Sequence, residues 1–448
     1  MAGAAQAWSS RFGFLMASVG FAVGLGNIWR FPYVTGENGG SAFVVVYLVC
    51  AFGIGVPILM AEIMLGRSGG LTPPGSTRRV AQLNQRSSRW AWVGYLNLVT
   101  AFSILIAYAV VCGWVLYYLY QSAGGAMVGI DARASSEHFA AALNNVPLLV
   151  GWTFAALAIA GGIIYGGVQK GIERAVTFLM PLLFLLLISL AIFNVFAGGM
   201  PQALQYLFSP DFSKLSPAML LAAVGQAFFS IGVAMAGMMM YGAYLPKHVS
   251  IGQSAIVIVI ADTLVALLAG LVIFPMVFNN GLDPSGGTGL IFQTLPVAFA
   301  HMPGGQLVSV LFFLLLSVAA ITSVVGLSEP LGAWLSERFG WSRHKSAMAL
   351  IATTLAVSLV SVLSYNHWQD VFLFGVSLGR AIDFVPSQIM LPLGGLLIAL
   401  FVGWRVSEVH SREELALGSD LAFTLWRRLV RYVVVPALAL ILVTGVSE

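Results

Sequence analysis

Eleven long apolar stretches divide this chain, at about residues 11–36, 41–66, 89–122, 148–166, 172–197, 217–244, 251–279, 305–336, 346–364, 370–403 and 428–446. A helix needs about 20 apolar residues to cross the hydrocarbon core of a bilayer. Lipid offers no hydrogen bonds, so the backbone of such a stretch must satisfy itself, which a helix does. The expectation is an all-α membrane protein of eleven transmembrane helices. Composition agrees: 8% of the residues are charged and 59% hydrophobic, against roughly 25% charged in a soluble domain. The third, eighth and tenth stretches are long enough to tilt or project.

The basic residues orient the chain. Placing the N-terminus inside puts 17 of the 21 Lys and Arg on inner segments, and only Arg133 and Lys214 outside. Arg30 and Arg380 fall within spans. The positive-inside bias predicts a cytoplasmic N-terminus and, after eleven crossings, an external C-terminus. No signal-peptide pattern is evident at the start. Cys50 and Cys112 lie in separate spans as packing residues. The six histidines form no ligand-spaced cluster, and neither a Walker loop nor a nucleophile–base set is apparent, so an enzyme is not expected. Residues 67–88 read as a basic inner loop and 123–147 as an outer loop. Within the longest outer loop, 280–304, the apolar run LIFQTLPVAFA reads either as a short helical lid over a vestibule or as interfacial packing.

The first span contains FAVGLGNIWRFPY, Phe21–Tyr33. Gly20 and Gly24 at this spacing are compatible with close helix packing. Asn27, Arg30 and Pro32 point instead to a deliberate break. A broken helix presents carbonyls that attract a cation and N–H groups that attract an anion, which suits a small zwitterion accompanied by a metal cation. The sixth span repeats the theme in SIGVAMAG, Ser230–Gly237, five spans later. A repeat unit with an odd number of spans inserts its second copy upside down, and paired interruptions mark a midplane site in transporters of that kind.

Four further features are candidates. Asp262 lies near the centre of the seventh span, where a carboxylate costs about 2.5–3.5 kcal/mol; it is either functional or paired with an arginine. Thr322 and Ser323 offer adjacent hydroxyls, which either bond the preceding turn or complete an all-oxygen Na⁺ shell. Arg30 and Asp383 have opposite charges toward the outer ends of their spans, as a gate pair or a static bridge. The Tyr108 hydroxyl suits a carboxylate, although most membrane tyrosines serve packing.

These residues resemble the neurotransmitter:sodium symporters, specifically their bacterial amino-acid transporters. The likeness is carried by GFAVGLGNIWRFPYVTGENGGSAF, GVPILMAEIMLGR, VGQAFFSIG, AAITSVVGLSEP and AIDF, and runs from Trp8 to about Trp404. The resemblance implies one membrane domain over 1–448 with a five-plus-five inverted repeat, about 8–197 and 217–403, broken first and sixth helices, and an extra helix at about 428–446. It implies two Na⁺ ions. The first would take the Ala22 carbonyl, Asn27, Ser230, Asp262 and the substrate carboxylate. The second would take the carbonyls of Gly20, Val23 and Ala319 with Thr322 and Ser323. The amino-acid carboxylate would meet the Gly26 N–H and Tyr108, and the side chain Ile104, Phe229, Met235 and Leu327. Ala22 and Ser323 thus stand at ion and substrate alike. Arg30, Asp383, Tyr108 and Phe229 would form the outer gate, and Glu62 would accept backbone N–H groups of the broken sixth span.

The chain departs from the family pattern in places. The arginine usual three residues before the tryptophan matched by Trp8 is Ala5, while its acidic partner is matched by Glu337. Val324 and Gly232 stand where serine is common. Many animal members need Cl⁻; here Tyr47, Gln226 and Ser230 match three of the chloride positions, but Ala266 replaces a serine and Asp262 an asparagine. The expected activity is Cl⁻-independent, Na⁺-coupled symport of hydrophobic L-amino acids by alternating access in the bacterial inner membrane. No nucleic acid or obligate protein partner is expected. A Na⁺-independent exchanger on the same fold and a non-transporting amino-acid sensor are the alternatives. Thr322 and Ser323 argue against the first, and the lack of a large signalling appendage against the second.

Overall fold

The structure, a computed structural model, describes residues 7–282, 289–373 and 375–447. Nine helices among them are long and apolar enough to cross a membrane, and a bent pair makes a tenth candidate. The bent pair comes first: α1 (Arg11–Ala22) and α2 (Gly26–Glu37) meet at 48°. Then follow α3 (Ser41–Gly69), α4 (Pro73–Leu83), α5 (Ser88–Ala123), α6 (Ala132–Asn144), α7 (Val146–Tyr165) and α8 (Val168–Ala197). After α9 (Met200–Phe208), the sixth expected span is two short helices, α10 (Pro217–Ile231) and α11 (Gly237–Ala243). The remainder is α12 (Ile251–Asn279), α13 (Leu290–His301), α14 (Gly305–Phe339), α15 (Arg343–Ser364), α16 (Leu378–Arg405), α17 (Glu408–Leu415) and α18 (Asp420–Gly445).

Several expected boundaries are corrected. The inner segment 67–88 carries α4, which Pro73 and Pro74 open at positions where a missing N–H costs nothing. The outer segment 123–147 carries α6, capped by the Asp131 carboxylate. The tenth span starts at Leu378 rather than near 370. Before it, β1 (Phe372–Leu373) pairs antiparallel with β2 (Val376–Ser377), in register Phe372 with Ser377. Asp420–Leu429 lengthens the last span at its N-terminal end. The run LIFQTLPVAFA is helical as α13, and it is packed rather than loose. Phe292 is fully buried, with its ring 5.6 Å from Trp29, 5.8 Å from Trp114 and 5.0 Å from Tyr118.

The two breaks have different causes. α1 ends because Val23 leaves the helical region, at φ −73° and ψ 103°. Between α10 and α11 the chain turns left-handed at Gly232, Ala234 and Ala236, with φ of 74°, 61° and 63°. For alanine that conformation costs roughly 1–2 kcal/mol per residue, so something must hold it. α3 does so, at close range. A Cβ on Gly66 would stand 1.8 Å from the Met239 carbonyl oxygen, and one on Gly242 2.5 Å from that of Ile63. Glycines thus let α3 and α11 meet backbone to backbone, which brings Glu62 beside the break.

Candidate functional site

Glu62 is wholly buried, and both of its oxygens are used. Oε2 accepts the Ala234 N–H at 2.8 Å and Oε1 the Met239 N–H at 3.3 Å. The carboxylate satisfies two donors that the break frees from the helical ladder, the role expected for it.

The break in the first span is satisfied from three sides. The Asn27 side-chain carbonyl accepts the Gly24 N–H at 3.1 Å. The Tyr108 hydroxyl accepts the Leu25 N–H at 3.0 Å, and Gln226 donates to the Gly26 carbonyl at 2.8 Å. Gly24 must lack a side chain, since a Cβ there would lie 2.4 Å from the Ser323 hydroxyl and 2.7 Å from that of Tyr108.

Of the first expected cation set, the structure brings Asn27, Ser230 and Asp262 together, all buried. The Asn27 amide donates to the Asp262 carboxylate at 2.7 Å, to its backbone carbonyl at 3.0 Å and to Ser230 at 2.9 Å. Ser230 donates to the second Asp262 oxygen at 2.8 Å, and the Tyr47 hydroxyl lies 3.4 Å from the same atom. Asp262 has no arginine partner among the described residues, so the alternative of a structural pair fails. Its partners are neutral donors from three other helices.

The second expected set straddles α1 and α14. A Cβ on Gly20 would stand 3.4 Å from that of Thr322 and 3.0 Å from the Met180 sulfur. The Thr322 hydroxyl donates within its own helix, to Val318 and Ala319 at 3.0 Å each. Ser323 reaches across to the Phe21 carbonyl at 3.5 Å. The extended Val23 turns its carbonyl out of the helical ladder.

Between these clusters lies a cavity with about 340 Å³ of empty space. All eight expected substrate residues line it: Ala22, Gly26, Ile104, Tyr108, Phe229, Met235, Ser323 and Leu327. Phe21, Gly24, Ser230 and Gly232 complete the wall. Val324, at a hydroxyl-bearing position in relatives, is buried outside that lining. One end of the wall is polar, with Tyr108, Ser323 and the backbone of the break. Ile104, Phe229, Met235 and Leu327 make the rest apolar.

The two charges expected to form the outer gate are not joined. Among the described residues no ion pair within 4.0 Å links Arg30 to Asp383. The Arg30 guanidinium instead lies over the Phe229 ring, 4.6 Å from its centroid, and Asp383 is exposed.

On the side expected to face inward, Ala5 lies outside the described residues, and Glu337 accepts the Thr72 N–H at 3.0 Å. Sequence reasoning missed what joins the helices there. Arg343 clasps the buried Glu329 through two contacts of 2.5 and 3.1 Å, and Tyr244 donates to the same carboxylate at 2.8 Å. The Trp8 indole donates to the Tyr241 carbonyl at 3.0 Å. An acid deep in an apolar span was the available signal for Glu329.

A small cavity between two interrupted membrane helices, lined by the freed backbone of one break, is the arrangement of a membrane transporter. The chain matches the Sodium:neurotransmitter symporter family over residues 5–128 and 140–444, and it belongs to that family. It is therefore a sodium-dependent transporter rather than an enzyme. Its sequence is 34% identical over 441 residues to the sodium-dependent transporter YhdH of Bacillus subtilis, covering 97% of this chain and 96% of that one. A sodium-dependent transporter of Haemophilus influenzae is 31% identical, with 96% and 95% covered. Its structure is similar to the crystal structure of MhsT in complex with L-phenylalanine, with a TM-score of 0.91 and 38% identity over 98% of this chain and 99% of that one.

The Glu62 arrangement yields a stability prediction. Glu62→Ala leaves two buried N–H groups unpaired beside two left-handed alanines, at about 1–3 kcal/mol for each lost partner. The variant should insert but unfold at a clearly lower temperature in detergent, and Glu62→Gln should lie between it and wild type. An unchanged melting temperature for Glu62→Ala would refute this role.

Proposed function

We propose that this protein imports hydrophobic L-amino acids by Na⁺-coupled symport, with two Na⁺ per substrate and no need for Cl⁻. In this reading eleven helices form a five-plus-five inverted repeat plus one extra helix, in the bacterial inner membrane, N-terminus inside and C-terminus outside. The carrying observation is the chamber, where a polar end made by a helix break meets an apolar wall. The exposed break suits a carboxylate and a cation at once. The wall suits a side chain the size of leucine or larger, since each buried methylene is worth about 0.8 kcal/mol. An unmatched charged side chain would be excluded by desolvation. That MhsT was crystallised with L-phenylalanine at 38% identity supports the same substrate class.

In the proposed cycle, Na⁺ draws together the oxygens of Asn27, Ser230, Asp262 and the Ala22 carbonyl, and the substrate carboxylate completes that shell. The Asn27 amide must then turn its oxygen toward the ion, releasing the donors it now gives to Asp262. A second Na⁺ between α1 and α14 would bind the carbonyls of Gly20, Val23 and Ala319 with the hydroxyls of Thr322 and Ser323. Closure outside would bring Arg30, now over Phe229, toward Asp383, with Tyr108 and Phe229 roofing the substrate. One charge moving through 100 mV is worth about 2.3 kcal/mol, so two Na⁺ would drive strong accumulation.

Uptake of labelled phenylalanine into proteoliposomes tests this. An inward Na⁺ gradient should drive accumulation that a K⁺ gradient does not. Thr322→Val with Ser323→Ala should abolish it while the protein still inserts. Equal uptake in K⁺ would favour the Na⁺-independent exchanger, and undiminished uptake by the double variant would remove the second ion site.

Chloride offers a separate test. Tyr47 and Ser230, which match chloride positions of animal relatives, face the Asp262 carboxylate, and Ala266 is apolar. The carboxylate supplies the negative charge that an anion would otherwise bring. Replacing Cl⁻ with gluconate should leave uptake unchanged. Asp262→Asn with Ala266→Ser should lose transport or become Cl⁻-dependent. Collapse of wild-type uptake in gluconate would assign Asp262 a structural role only.

A further inference from the structure

Glu173 belongs to the first turns of α8, yet its carboxylate serves α1. Oε2 accepts the Ser9 N–H at 3.0 Å, and Oε1 accepts the hydroxyls of Ser9 at 2.5 Å and Ser10 at 3.0 Å. Ser10 in turn caps α1, accepting the Gly13 N–H at 2.9 Å. The carboxylate fills space that only a glycine leaves open: a Cβ on Gly13 would lie 2.0 Å from Oε1 and 2.3 Å from the carboxyl carbon. Negative charge at a helix N-terminus is favourable, and hydrogen bonds to a carboxylate are the stronger kind. One turn earlier in α8, the Gln169 amide donates to the Ala7 carbonyl at 2.9 Å. The start of α8 therefore holds three contact points ahead of α1: residues 7, 9 and 10.

Glu173 is only 6% exposed, while Lys170 and Arg174 beside it are exposed. Among the described residues no ion pair reaches it. Its partners are neutral donors, all at Ser9 and Ser10 just ahead of α1. The turn that carries it is wide, a π-helical stretch over Val168–Glu173 that follows Gly167 at φ 81°. It is also crowded against α7, since a Cβ on Gly171 would stand 2.0 Å from the Ile163 carbonyl oxygen. Pro181 sits within α8 two turns further on, where it removes a helical hydrogen bond. The carboxylate is thus mounted on the least regular part of α8.

We infer that Glu173 is a positioning residue of the inner gate. It latches the N-terminus of α1 to the first turn of α8, so that loosening of that turn and release of the inner half of α1 occur as one event. The inference rests on the alternating-access reading above. It gives the inner side a hydroxyl–carboxylate latch at a place where Ala5 brings no charge.

The test is hydrogen–deuterium exchange on the full chain in nanodiscs, in NaCl without amino acid. Three variants are compared: Glu173→Ala, Ser9→Ala with Ser10→Ala, and the combination of all three. Ser9 and Ser10 are exposed, so the serine variant keeps the test valid should Glu173→Ala fold poorly. Amides of α1 should exchange about tenfold faster in each variant, as expected for losing hydrogen bonds to a charged acceptor, while α12 is unchanged. The triple variant should be faster than Glu173→Ala alone, since it also loses the Ser10 cap, but by less than the sum of the separate effects, because the residues form one latch. Glu173→Gln, which keeps the acceptor oxygen, should restore part of the protection. Unchanged exchange in α1, additive effects, or equal acceleration in α12 with a lowered melting temperature would each overturn the latch. This readout needs no substrate, so it fails or succeeds separately from the amino-acid assignment.

Discussion

A helix opened in the middle of a membrane must find partners for its freed N–H and C=O groups within the protein, because lipid supplies none. Much of the site follows from that constraint. Glu62 takes N–H groups of the sixth-span break, Asn27 and Tyr108 take those of the first, and Gln226 donates to a carbonyl there. These partners are themselves polar and must be buried, so they collect where the two breaks face each other. Asp262 joins them through neutral donors only. A carboxylate held by amides and hydroxyls, with no fixed cation beside it, is well suited to receive a mobile one.

On the proposed orientation the two sides of the chamber differ in what holds them. Outside, a cation lies over an aromatic ring and its acid stands apart. Inside, Trp8 is bonded into α11, Arg343 and Tyr244 share Glu329, and Glu173 holds the start of α1. On the proposed cycle three separate inner ties would part for release, whereas the outer side would need only the approach of Asp383 to Arg30. On the proposed cycle this asymmetry sets the resting bias toward an inner-closed protein, ready to take ions and substrate from outside.

Apolar length and mid-membrane glycines made the membrane class and both breaks legible in the sequence. The family resemblance, more than the broken-helix motif itself, named the chamber wall residue by residue. Other features were not legible. Ala234 and Ala236 adopt a conformation that alanine seldom takes, and only the grip of α3 across 172 residues of sequence makes it tolerable. Gly13 reads as an ordinary helical glycine until Glu173 is seen in its place. Glu329 passed as part of a motif, although a buried acid in an apolar span always asks for a partner. The helices α4 and α6 were hidden in polar segments because their burial is one-sided, which weakens the apolar signal there.

The central claim is that substrate carboxylate and Na⁺ share one shell at the first break. If so, their affinities are linked, and each must raise the other by the same factor. The direct measurement is equilibrium binding of labelled phenylalanine to the purified protein across a series of Na⁺ concentrations, with K⁺ holding ionic strength constant. The account predicts that the dissociation constant falls steeply as Na⁺ rises, and that Asn27→Ala flattens the dependence. Binding equally tight in K⁺ and in Na⁺ would contradict it.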